Sequence, residues 1–258
     1  MIRGLYTSAM GMNSQAQSLE VVSNNLANSN TTGFRGGTAV RQSFPEMLMQ
    51  SIQSYPGKPE HDRSNAGSAN FGVTVNGAHI DFSQGSLQST GGELDLAIVG
   101  GGFFAVEALN SAGQAQEMFT RAGAFALAPD RTLVNPNGDR ILNISGGHIT
   151  IPDDGEIEIG TEGQIYVGGT YVDTIRMVDF DDTGQLRPFG HTLFLSGGAT
   201  EIPFTGTVSQ GYLERSNVNV VREMVNMINI SRAYELNQNM ISIQDQSLAQ
   251  AVNEIARR

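Results

Sequence analysis

The chain has 258 residues, with 26 acidic against 15 basic side chains and a formal charge of −11 at pH 7. That surplus disfavours electrostatic capture of nucleic acid or anionic lipid, and the length allows one large domain or two smaller ones. With no cysteine, disulfides, thiolate zinc sites, iron–sulfur clusters and thiol nucleophiles are excluded.

His61, His79, His148 and His191 stand at no metal-ligand spacing, so neither a metal nor a cofactor is expected. No apolar run approaches the roughly 18 residues of a membrane span, and Met1 to Ser14 lacks the basic-then-apolar layout of a secretory signal. Membrane insertion and a cleaved export signal are therefore not expected.

Residues 1–35 carry only Arg3, Glu20 and Arg35, and residues 218–258 balance four arginines with four acids, so the total of −11 leaves −12 for residues 36–217. All 8 prolines fall in that middle. The spacing predicts helix in residues 1–34, where Leu5, Met12, Leu19 and Leu26 recur every seven residues with Ala9 and Ala16 four places after the first two. The run Asn28 to Gly33 is rich in turn formers and ends it. Residues 35–70 read as an extended connector: an apolar patch from Phe44 to Leu48, then polar text around Pro56, Pro59 and Asn65 to Ser68.

From 71 to 210 apolar residues alternate: Val73 and Val75, Leu94 to Ile98, Phe104 and Val106, Ile157 and Ile159, Ile165 and Val167, Ile175 to Phe180. Turn residues punctuate them, which predicts an all-β domain. In residues 211–258, Val220, Met227, Tyr234, Ile241, Leu248 and Ile255 hold one heptad position, with Asn219 as N-cap and Glu223 in the first turn. A helix of about 38 residues would be roughly 55 Å long and must find a partner. The fold class expected is mixed: long N- and C-terminal coiled-coil-type helices around a central all-β domain.

Three catalytic or ligand motifs can be posed and set aside. Gly100-Gly101-Gly102 lacks the spacing of a phosphate loop and precedes a strand pattern, so it reads as a tight turn. Asp179 to Gly184 starts like a calcium loop, but Thr183 and Gly190 stand where ligands belong, which leaves a solvated turn. Glu156 and Glu158 alternate with Ile157 and Ile159 and form the wet face of a strand. No catalytic set emerges, and the reading is non-enzymatic. The heptads allow a helical hairpin within one monomer or a bundle between subunits. Narrow stripes flanked by uncharged amides favour the bundle.

Asn24-Asn25-Leu26-Ala27-Asn28 followed by Thr32-Gly33-Phe34 resembles the N-terminal signature of the bacterial flagellar axial proteins of rod and hook. Gly211 to Val220, Glu223 to Ile228 and Arg232-Ala233-Tyr234-Glu235 resemble the C-terminal signature of that family. Asp95 to Ile98, Gly100 to Phe104 and Phe119-Thr120-Arg121 resemble its middle domain. Length and the Phe44 to Gly57 segment look most like the distal-rod branch, with the proximal-rod branch close in length.

The resemblance implies a structural subunit of the basal-body rod that polymerises with itself into a helical tube. Its terminal helices would form the inner layer and its β domain would face outward. Implied partners are other rod and hook proteins and the flagellar type III export apparatus, and the implied location is the basal body outside the cytoplasmic membrane, periplasmic in a two-membrane host. The assembly motif would be Asn24 to Asn28 with Thr32, Gly33 and Phe34. The seam would be Leu5, Met12, Leu19, Val220, Met227, Tyr234, Ile241, Leu248 and Ile255. The family also implies Phe44 and Leu48 as an export contact, although the residues themselves read equally as an anchor of the connector. Asn24, Asn25 and Asn28 read as amides that bond the backbone where the helix ends. The rival class is an extracellular oligomeric adhesin or binding module on a helical stalk, which would show a fixed small mass in solution. A glycan-acting enzyme would need a paired acidic cleft that the sequence does not display.

Overall fold

The computed structural model describes residues 2–43, 47–53, 62–69, 72–110, 112–152 and 155–256, with side chains described except at 2–3, 47–53, 62–69 and 254–256. The chain divides into two compact units, one made of Met1–Asn24, Gly37–His79 and Val221–Arg258, the other of Asn25–Gly36 and Ile80–Val220.

The first, helical unit is framed by α1 (Ile2–Ala27) and α2 (Val220–Ala256). No proline interrupts either helix, and α2 also lacks glycine. Between them in sequence lie β1 (Gly37–Ser43), β2 (Met47–Gln53), β3 (Asp62–Ala69) and β4 (Val73–Ile80). β1 pairs with β4, and β2 pairs antiparallel with β3 from Met47↔Ala69 to Gln53↔Asp62. The segment expected as an extended connector is thus extended but laddered.

The β unit runs through β5 (Leu87–Ser89), β6 (Leu96–Val99), β7 (Phe103–Leu109), β8 (Ala115–Thr120), β9 (Ala126–Leu127), β10 (Leu133–Val134) and β11 (Arg140–Ile141). It continues with β12 (Ile157–Ile159), β13 (Gln164–Val167), β14 (Thr170–Thr174), β15 (Met177–Phe180), β16 (Arg187–Phe189), β17 (Leu193–Leu195), β18 (Glu201–Pro203), β19 (Thr207–Gln210) and β20 (Tyr212–Glu214). The main sheet has the order β16-β17-β8-β7-β11-β10-β9, with β15 joining β7 to β18. β12-β13-β14 form a meander, while β6 pairs with β19 and β5 with β20.

β7 organises this unit. Its period-two alternation sends Phe104, Val106 and Ala108 into one core with Leu96, Met118, Ile141 and Ile165. Phe103 and Ala105 enter a second core with Phe119, Val178, Phe180 and Phe194. Edge-on ring pairs such as Phe103–Phe180 at 5.7 Å and Phe119–Phe180 at 4.9 Å pack the second, the geometry that ring quadrupoles favour. Burial on both faces explains why the sequence here reads as a continuous apolar run.

Compactness divides the chain differently from the boundaries expected at 34, 70 and 210. β4 belongs with the helical unit through its pairing with β1, and residues 25–36 belong with the β unit. Ladder pairing is carried by backbone groups, which leave no side-chain signature in a polar stretch.

Candidate assembly interface

α1 has a small, polar buried stripe. Ser14, Ser18, Val22 and Asn25 are buried along it, spaced by the four and three residues that keep them on one face. Ser18 Oγ donates to the Ser14 carbonyl at 2.8 Å, and Arg41 of β1 donates to Gln15 Oε1 at 3.1 Å and Ser18 Oγ at 3.2 Å. Gly4 and Gly11 present no side chain where α2 approaches. A methyl at Gly4 would collide with the Gln244 carboxamide, and one at Gly11 would lie 3.2 Å from Asn237 Nδ2. These pairs advance by seven in α1 and retreat by seven in α2, so the two helices run antiparallel. Ser18 and Ile230 continue the series, lining a cleft of about 420 Å³ with Val21, Arg41 and Glu223. The contact is therefore rich in glycine, hydroxyl and amide groups, and the buried oxygens Gln17 Oε1 and Gln244 Oε1 have no protein partner.

The expected seam residues fall around this contact. Val220, Met227, Ile241 and Leu248 are half-buried and Tyr234 is exposed, on the side of α2 that carries Asn237 and Gln244. Met12 and Leu19 are half-buried, while Leu5 is exposed. The helical hairpin within one chain is thus formed. The opposite side of α2 holds a second apolar stripe: Val221 is 72 % exposed, Leu236 64 % and Ile243 56 %, with Val225 and Ile228 beside them. At 100° per residue these five fall within about 80° of one another. Among the described residues of α2 none is fully buried.

α1 ends at Ala27, and the turn predicted at Asn28 to Gly33 follows it. The Ser29 N–H donates to the Leu26 carbonyl and Thr31 Oγ1 donates to Asn28 Oδ1 at 3.2 Å. Of the motif residues, Asn25, Asn28, Gly33 and Phe34 are buried, Leu26 and Thr32 half-buried, Asn24 and Ala27 exposed. Gly33 has φ +68°, and a side chain there would strike the backbone of Arg121 and Ala122.

Inside the β unit this turn meets the Gly211 to Val218 segment. The Gly33 N–H donates to the Glu214 carbonyl at 2.9 Å, and Asn217 accepts from the Gly36 N–H at 2.8 Å while donating to the Asp81 carbonyl at 2.8 Å. At the centre, the Glu214 carboxylate pairs with Arg35 at 2.8 Å and Arg121 at 3.4 Å, and it accepts the Gly85 N–H at 2.8 Å. The Arg35 and Glu214 side chains are 1 % and 0 % exposed. Arg35 also donates to the Ser83 carbonyl at 2.9 Å. Arg121 donates to the Gly100 carbonyl at 2.6 Å and lies 5.3 Å from the Phe103 ring centroid. Two guanidiniums share one carboxylate, leaving Arg35 Nε, Arg35 Nη2 and Arg121 Nε buried without a partner. Burial pulls the Arg121 pKa below its ordinary value; Glu214 opposes that shift and Arg35 adds to it. The sequence motifs contained Arg121 and Glu214 and stopped one residue short of Arg35, without indicating this cluster, because Arg and Glu are rarely buried.

Elsewhere, Gly100 and Gly102 have φ of +98° and +108° in the turn between β6 and β7. Asp182 caps a 3-10 turn, Thr183–Gln185, by accepting from the Gly184 N–H. Glu158 is exposed between buried Ile157 and Ile159. No group of three metal-ligating side chains occurs among the described residues, and no described helix is long and apolar enough to cross a membrane. Phe44 and the side chains of Leu48 and Ile255 lie outside the described residues.

Three family descriptions match the chain: flagella basal body rod protein at residues 5–35, flagellar hook protein FlgE/F/G D1 domain at 97–167, and flagellar basal body rod FlgEFG protein C-terminal at 209–254. The flagellar basal-body rod protein FlgG of Agrobacterium fabrum is 34 % identical over 95 % of this chain and 96 % of its own length. The chain belongs to the flagellar basal-body rod protein family. The FlgG of Bacillus subtilis is 31 % identical over 98 % of this chain and 99 % of its own length. A Caulobacter vibrioides relative named FlgF is 32 % identical over 91 % and 90 %. The chain is a structural rod subunit, with the FlgG branch favoured. The adhesin reading gains no support from these similarities. The first and last family matches contain the turn and the Glu214 segment that meet at the buried ion cluster.

Proposed function

We propose that this rod subunit polymerises into a helical tube through its terminal helices and carries torque from motor to hook. The tube would lie outside the cytoplasmic membrane, in the periplasm of a two-membrane host. Its partners are further copies of itself, neighbouring rod and hook proteins, and the export apparatus that delivers it. The similarity to FlgG proteins supports a position in the distal rod.

The observation that carries this reading is the second apolar stripe of α2, which the chain's own fold leaves exposed. A helix that offers apolar surface on two sides and covers only one has the composition of a bundle element. Contacts between unlike surfaces of successive copies propagate into a helical filament where the rotation from copy to copy does not close a ring.

Leu236→Asp tests it. The side chain is largely exposed in the free chain, so the substitution leaves expression and melting unchanged. In a packed tube the same charge is buried at every subunit, at a cost of about several kcal/mol each, and rod incorporation and swimming are lost. The control is Thr170→Asp, an exposed site at the start of β14. Ile241 is a poorer position, because it is half-buried on the side of α2 that faces α1. Normal swimming with Leu236→Asp overturns the proposal.

A further inference from the structure

We infer that Glu214 is a positioning residue: with Arg35 and Arg121 it locks the register in which Asn25–Gly36 seats against Gly211–Val218. Nothing in this depends on the rod reading.

Stability alone is a poor account of the cluster. A buried ion triad replaced by apolar side chains of similar volume generally folds as well or better, because desolvation offsets most of the Coulombic attraction. Here two cations share one anion and three guanidinium nitrogens are unpartnered, which adds desolvation cost without pairing. What the ions supply is direction. Glu214 Oε1 takes both Arg35 and the Gly85 N–H, while Oε2 takes Arg121. A slip of one residue brings Phe34 or Gly36 to the place of Arg35 and leaves a buried charge unmatched. Apolar packing is non-directional and would tolerate that slip. The seat is tight as well, since Gly33 lies against the backbone of Arg121 and Ala122 with no room for a side chain. Arg35 follows the end of α1 by eight residues and Glu214 precedes the start of α2 by six. The lock therefore fixes the two segments from which both helices lead away.

The experiment uses the purified full chain. Glu214→Leu strands two buried arginines and lowers the melting temperature by about 10 °C or more. Arg35→Met leaves a balanced pair and costs less than half as much. The triple variant Arg35→Met, Arg121→Met, Glu214→Leu recovers melting to within about 3 °C of the parent.

Register is read by spin labels at Asn30→Cys and Arg215→Cys. These positions lie on the two segments, where Arg215 Nη2 donates to Asn30 Oδ1 at 3.3 Å, and the chain has no native cysteine. With the triad intact the label distance is a single narrow population. In the folded triple variant it splits or broadens. A triple variant that melts normally and keeps the narrow distance overturns the lock. One that stays as unstable as Glu214→Leu overturns it too, because the ions would then be serving stability.

Discussion

β7 buries five apolar side chains on its two faces, whereas α2, at 37 residues more than five times as long, has no fully buried side chain among its described residues. Both segments are rich in apolar residues, so composition does not separate them. What separates them is closure. β7 lies inside a sheet whose cores are completed by β6, β8, β13 and β15 of the same chain, while α2 meets α1 through glycines and amides and holds an apolar stripe outside. Stability of the single chain should therefore reside in the β unit, and the helical pair should contribute little until its outer stripe is covered.

The sharpest way to break this contrast is to truncate one side chain in each region. Phe104→Ala removes a ring with no exposure at the centre of the first core, and should cost about 3–5 kcal/mol in urea unfolding of the full chain. The Leu236→Asp change, made on the outer stripe, should leave the same transition where it was. Equal losses would mean that the outer face of α2 is already packed in the monomer.

Much of this is legible in the amino-acid sequence. The start of α2 at Val220 and the end of α1 before Asn28 follow from cap and turn residues, and the Ile157, Glu158, Ile159 alternation gave a strand with one wet face. The strand at Phe104 and Val106 is legible too, although β7 has no wet face. Two features were not legible, each for a physical reason. The β1–β4 and β2–β3 ladders rest on backbone hydrogen bonds in polar text. Arg35, Arg121 and Glu214 look like surface charges until residues 93 and 179 positions apart in sequence come together around one carboxylate.

A smaller effect tests the character of the α1–α2 contact. Gly11→Ala raises helix propensity by up to about 1 kcal/mol, and the new methyl meets only the end of the Asn237 side chain at 3.2 Å. Asn237 is half-buried, so its amide can swing aside. The expected outcome is a net gain of about 0.5 kcal/mol, read from thermal unfolding followed in the helical signal. A loss above about 1 kcal/mol would show that this seam is packed as rigidly as the β cores.

The smallest effect concerns pH, and it separates the regions by charge. The glycine, serine and amide groups of the α1–α2 seam do not titrate, whereas the β unit holds Glu117 beside Arg176 at 3.2 Å, with Glu201 on the same guanidinium at 3.1 Å. Burial raises the Glu117 pKa above its ordinary value; Arg176 opposes the shift and Glu201 adds to it. A carboxyl whose pKa is higher in the folded state binds its proton more tightly there. Its contribution favours folding at acid pH and is lost as pH rises through the raised pKa. Glu117→Gln removes that loss, while Arg176 keeps Glu201. Relative to the parent, the variant should therefore gain stability as pH climbs through the carboxylate range. The difference should stay within about 0.5 kcal/mol, because the pair is partly solvated. Urea midpoints of the two proteins measured from acid to neutral pH check the sign. A variant that instead loses ground toward neutral pH would show that attraction to Arg176 outweighs burial at Glu117.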